Sequence, residues 1–158
     1  MEFPERVYTR DEVRLAKGLI DEGYRHRLRV VGSRVFKEKT REALRHVKTA
    51  GYYDFLRTYV RVIREIDGSS QLREAEASIW ANMYAVGDSI DAACFFVQKA
   101  WQMKNYVEGK MYYGHVGESR AVDARLTFLE TLRKKTRDVR VKEECQRKMR
   151  AWDESKFL

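Results

Sequence analysis

The chain has 158 residues, with 32 Lys and Arg against 24 Asp and Glu, a net charge of +8 and an isoelectric point near 9.5. Hydrophobic residues at 44%, with three Trp, nine Tyr and seven Phe, can bury a core, which excludes a disordered chain, and two cysteines exclude a disulfide scaffold. The longest stretch without charge, Ala77–Gly87, falls well short of the about 20 residues that cross a bilayer, so no membrane span is expected.

A single proline in a chain rich in Leu, Ala, Glu, Lys and Arg reads as mostly helix. The first signal is Thr9-Arg10-Asp11-Glu12, a capping box that opens a helix with Val13, Ala16, Leu19 and Ile20 on one face and a stop near Gly23. In residues 24–31, Tyr, His, Leu and Val alternate with three arginines. That period of two predicts an irregular segment or a short edge strand. Ser33 caps a predicted helix from about Arg34 to Ala50, and Gly51 breaks it. Tyr52, Phe55, Leu56, Tyr59, Ile63 and Ile66 then form a stripe at helical spacing, ending at the Asp67-Gly68-Ser69-Ser70 loop.

Leu72, Ala75, Ile79, Trp80, Met83 and Val86 make a further stripe that ends at Gly87. Asp88 caps a long helix running towards Tyr113, and Gly114-His115-Val116-Gly117 ends it. Ser119 and Asp138 cap the last two predicted helices. The expected fold is therefore all-α: one domain over residues 1–158, a compact bundle of about seven helices with mostly antiparallel neighbours. A central helical hairpin of residues 71–87 and 89–113 is expected to form its middle.

The opening Met1-Glu2-Phe3-Pro4-Glu5-Arg6 has no basic and apolar leader pattern, and Cys94 and Cys145 stand apart without ligand spacing. Both point to a cytoplasmic chain with reduced thiols. Asn and Gln occur only at Asn82, Asn105, Gln71, Gln98, Gln102 and Gln146, a tilt shared with proteins of hot-growing sources.

The charge is uneven along the chain. Residues 1–66 hold sixteen basic and ten acidic side chains, residues 67–101 two and five, and residues 102–158 fourteen and nine. The excess concentrates in Arg25–Lys48, with nine Lys/Arg against two Glu, and in Arg133–Arg150, with nine against three acids. Such windows attract a phosphate backbone if they share a face, and are ordinary solvated helix surfaces if they do not. Tyr53 falls off the apolar stripe that contains Tyr52, which leaves it available to stack against bases.

Catalytic chemistry finds little support. His26 and His46 each follow a Glu by four positions, but His46 sits among cations, and no metal-ligand pattern is present. Gly114-His115-Val116-Gly117 matches the bare G-x-x-G that clamps nucleotides in one RNA-binding module. That module needs a β-sheet, which this reading does not expect, so a helix cap and turn is the preferred explanation. Glu76, Asn82, Gln98 and Lys99 lie near tryptophans and would need partners if buried.

The expectation is a non-enzymatic binding domain without metal, catalytic residues or cofactor, contacting RNA or DNA backbone without strong sequence readout. The residues expected to carry it are Arg25, Arg27, Arg29, Lys37, Arg41, Arg45, Lys48 and Tyr53, with Lys134, Lys135, Arg137 and Arg140 in the second cluster. The alternative is a helical protein-interaction or homodimerisation module whose basic surface meets an acidic protein. It is prompted by Phe96 and Tyr106, which fall away from the main stripe of the long helix.

Overall fold

The computed structural model describes residues 2–155. Within that range the chain folds as α1 (Arg10–Asp21), β1 (Arg29–Val31), α2 (Arg34–Thr49), α3 (Tyr53–Tyr59), β2 (Val62–Glu65), β3 (Gln71–Arg73), a 3-10 turn (Glu74–Glu76), β4 (Ser78–Ala81), α4 (Ser89–Val107), α5 (Gly114–Lys135) and α6 (Val139–Ser155). The expected all-α bundle of about seven helices is therefore wrong: six helices accompany a four-stranded sheet among the described residues.

The sheet runs in the order β1-β2-β4-β3, with β1, β2 and β4 parallel and β3 antiparallel to β4. Residues 71–87, expected as one arm of a helical hairpin, are β3, the 3-10 turn, β4 and a following turn. Short apolar runs satisfy helical and strand periods alike, and here sheet pairing decides. Ser78-Ile79-Trp80-Ala81 is hydrogen-bonded on both sides, to β2 and to β3. Ala77 in front of it adopts a left-handed conformation (φ 51°) that no continuous helix accommodates.

The stripe from Tyr52 to Ile66 is likewise divided. The helix stops at Tyr59, Val60 turns extended (φ −118°, ψ 125°), and the β-branched Val62 and Ile63 enter β2. The alternation in residues 24–31 ends as the edge strand β1, whose partner is β2, more than thirty positions downstream.

The predicted caps at the starts of α1, α2, α4 and α6 are present. Thr9 and Glu12 form the reciprocal capping box, Ser33 accepts from the Phe36 N–H, and Asp88 accepts from the Ile90 and Asp91 N–H groups. Asp138 accepts from the Arg140 N–H. By contrast, α4 stops at Val107, short of Tyr113, and Gly114-His115-Val116-Gly117 begins α5 rather than ending a helix, so Ser119 lies inside α5. Gly117 is required by contact. A Cβ there would stand 2.6 Å from the Tyr112 carbonyl carbon.

Val30, Ile63, Ile79 and Leu72 form one cross-strand row pointing into the core. Helix α4 lies against this layer and is packed by α1, α2, α3 and α5. Its all-round apolarity is thus satisfied within the chain: Phe96 is fully buried, and the Tyr106 hydroxyl donates to the Val7 carbonyl (2.5 Å). Arg61, just before β2, ties the N-terminal segment down by donating to the carbonyls of Pro4, Glu5 and Glu76, with its guanidinium over Phe3. No helix among the described residues is long and apolar enough to cross a membrane.

Candidate nucleic-acid interface

Helix α2 buries Phe36, Thr40, Ala43, Leu44 and Val47. At about 100° per residue, Lys37, Arg41, Arg45 and Lys48 then project together from one flank of that stripe. They meet Val30 of edge strand β1 and the rim of Leu44 in a groove of about 430 Å³. Among the described residues, Lys37, Arg41 and Arg45 make no ion pair, so their charge is not spent within the fold. Lys48 stands 4.6 Å from the centre of the Tyr53 ring, and Arg57 approaches the same ring at 5.9 Å. Tyr53 is therefore half-buried between two cations rather than free.

The remaining residues of the first cluster divide. Arg25 is paired with Asp54 (3.1 Å), which also binds Arg57 (2.8 Å), so one exposed carboxylate is shared by two guanidiniums. Arg27 and Arg29 are exposed, and Arg29 sits on β1.

In the second cluster, Lys134 pairs with Glu130 (3.6 Å), while Arg137 and Arg140 are exposed. Lys135 leaves the end of α5 and its ammonium donates to the Ala50 carbonyl at the end of α2 (3.4 Å). The two basic windows thus abut where α2 and α5 terminate. A cation at a helix C-terminus is also favoured by the carbonyls left unpaired there.

A second cleft, of about 620 Å³, was not visible in the sequence. Tyr84, Phe95 and Trp152 supply its aromatic walls, and Asp88, Asp91 and Arg125 its charge. Arg125 lies over the Trp152 ring (5.4 Å), reaches Gln98 (3.3 Å) and pairs with Asp91 (3.6 Å). Lys148 of α6 bridges Asp88 (3.2 Å) and Asp91 (3.0 Å) with a side chain only 8% exposed. Burial opposes the Asp88 charge, yet the N–H donors of Asp91 and Ile90 and the Lys148 ammonium hold its carboxyl below the usual range. Burial equally opposes the Lys148 charge, and the two aspartates outweigh it. These ion pairs join α6 to the start of α4.

The other titratable candidates are held by packing within the fold. His26 is packed against Phe3 and Tyr24, and burial, then Arg61, lowers its pKa to about 4. His46 meets the Ser89 hydroxyl (3.0 Å), and burial lowers its pKa too. Burial pushes the Cys94 thiol up to about 12 and the Cys145 thiol to about 11, which leaves neither a nucleophile near neutral pH. Asn82 fastens the loop after β4, donating to the Gly68 carbonyl and accepting from the Ala85 N–H. Lys99 is half-buried, with its ammonium 5.5 Å from the Phe95 ring centre.

Comparison with protein-family models, with curated proteins and with solved structures finds no significant match for this chain.

Proposed function

We propose that the chain is a non-enzymatic domain that binds the phosphate backbone of RNA or DNA, in a cytoplasmic setting compatible with its two unpaired thiols. The observation that carries this reading is the groove between α2 and edge strand β1. Lys37, Arg41, Arg45 and Lys48 line it, and the first three have no carboxylate partner among the described residues. Cations that the fold does not use release counterions when they meet phosphate, and this release drives non-specific binding. Lys135 adds a cation at the end of α2, and Arg137 and Arg140, which follow it in the chain, are exposed.

The test is an anisotropy titration of a labelled duplex at about 50 and 200 mM salt. Four phosphate contacts give a slope of log K against log salt of about −3.6, hence roughly 150-fold weaker binding across that range. The Lys37→Ala/Arg41→Ala double variant halves the slope and cuts the salt effect to roughly 12-fold. Arg14→Ala/Lys17→Ala, on α1, leaves both unchanged. Absence of salt-sensitive binding at micromolar protein overturns the reading.

A further inference from the structure

The strand register aligns a second surface. Across the sheet, Arg29 stands beside Val62, Ser78 and Arg73, and Val31 beside Arg64, Trp80 and Gln71. These eight positions alternate with the core-facing row and therefore lie on the opposite face of the sheet. They include three arginines and a tryptophan, and no carboxylate. Arg29, Arg64, Gln71 and Arg73 are exposed, and Trp80 is half-buried. Val31 and Trp80 lie outside the hydrophobic core cluster, but Val62 (7% exposed) and Ser78 (5%) are buried, so the open part of this face is the row of Val31, Arg64, Trp80 and Gln71 with Arg29 and Arg73 at its flanks.

We propose that this face is a stacking platform for the unpaired bases of a single-stranded nucleic acid, with Trp80 as the stacking ring and Arg29, Arg64 and Arg73 as its phosphate contacts. The proposal rests on the nucleic-acid reading above and specifies the form of nucleic acid. Every base has a π-face, so an aromatic ring set among cations holds single strands without reading sequence.

Three further observations support it. The Arg73 guanidinium already stacks on the indole at 4.3 Å, and because that side chain is exposed it can swing aside to admit a base. The indole Nε1–H is buried without an acceptor among the described residues, so no hydrogen bond within the fold explains an indole at this position. Among the described residues, none of Arg29, Arg64 and Arg73 is in an ion pair. The platform also adjoins the α2 groove. Strand β1 is the sheet edge, with Val30 lining the groove while Arg29 and Val31 lie on the platform, so one strand can follow the charge around that edge.

The test compares an oligothymidylate of about 12 nucleotides, an abasic strand of the same backbone length and a duplex. Wild type is expected to prefer oligothymidylate over the abasic strand. Trp80→Ala weakens oligothymidylate binding about tenfold and leaves the other two within about twofold, while Trp80→Phe keeps most of the affinity. Circular dichroism checks the fold of each variant. If Trp80→Ala does not fold, photocrosslinking of wild type to an iododeoxyuridine strand decides: attachment at Trp80 supports the platform, and attachment only elsewhere overturns it. Equal loss on all three ligands, or no loss on oligothymidylate, also overturns it. If wild type binds the abasic strand and the duplex with the expected salt dependence but ignores Trp80→Ala, only the platform fails. If it binds none of the three, the nucleic-acid reading fails as well.

Discussion

Replacing Lys148 by Met tests whether the ion-pair cluster holds the C-terminal helix in place. The Lys148 ammonium lies 3.0 Å from Asp91, 3.2 Å from Asp88 and 4.0 Å from Glu144. Removing one partner of a fully buried pair costs about 3–5 kcal/mol, because the remaining charge is left uncompensated. Here the three carboxylates are 43–48% exposed and partly rehydrate once the ammonium is gone, which places the loss nearer 2–3 kcal/mol. Met preserves most of the aliphatic stem, so lost packing adds little. In a domain of this size each kcal/mol lowers Tm by about 2–4 °C, and the expected fall is about 4–12 °C. Thermal unfolding by circular dichroism measures it. The same substitution in an Asp91→Asn background costs less, because one of the stranded charges has already been removed. A Lys148→Met variant as stable as wild type, or an equal loss in both backgrounds, refutes the argument.

Two further outcomes follow from burial and backbone contact. The His26 pKa is lowered to about 4 in the folded chain against 6.5 unfolded, so the unfolded state takes up the proton first as pH falls. Stability is full above pH 6.5, declines between 6.5 and about 4, and drops by about 1 kcal/mol between pH 7 and 5.5 from this group alone. Urea unfolding at those two pH values measures the drop. His26→Phe shrinks it, and an undiminished drop in that variant counts against His26 as its source. The glycines at positions 18 and 117 should respond in opposite directions to alanine. A Cβ at Gly18 of α1 meets nothing within 4 Å, so Gly18→Ala stabilises by about 0.5–1 kcal/mol. At Gly117 the Cβ would strike the Tyr112 backbone, so Gly117→Ala destabilises by about 1–2 kcal/mol even after the gain in helix propensity. Paired melting curves check both signs.

Much of the helical framework was legible because its signals are local. A cap lies within three residues of the N–H it satisfies, as Thr9, Ser33 and Asp88 show. The basic windows were equally plain. The sheet was hidden for the opposite reason. Its strands are three or four residues long, and although β3 pairs with the nearby β4, β1 and β2 pair across thirty-three positions and β2 and β4 across sixteen. In isolation Leu72, Ile79 and Trp80 satisfy helical spacing, and nothing near them reveals that Ile63 will stand opposite Ile79.

The candidate site divides along the same line. Sequence by itself determined which side chains are cationic and how densely they occur. Only the tertiary structure decided which of those charges remain free. Arg25 is paired with Asp54, twenty-nine positions away, and Lys148 with Asp88, sixty positions away, while Lys37, Arg41 and Arg45 find no such partner among the described residues. The tertiary structure also decided that Arg64, Arg73 and Trp80, which lie on three different strands, come to share one face with Arg29. Pairing and exposure are relations between distant segments, set by where the core forces each chain segment to lie, and so they appear only once the chain has folded.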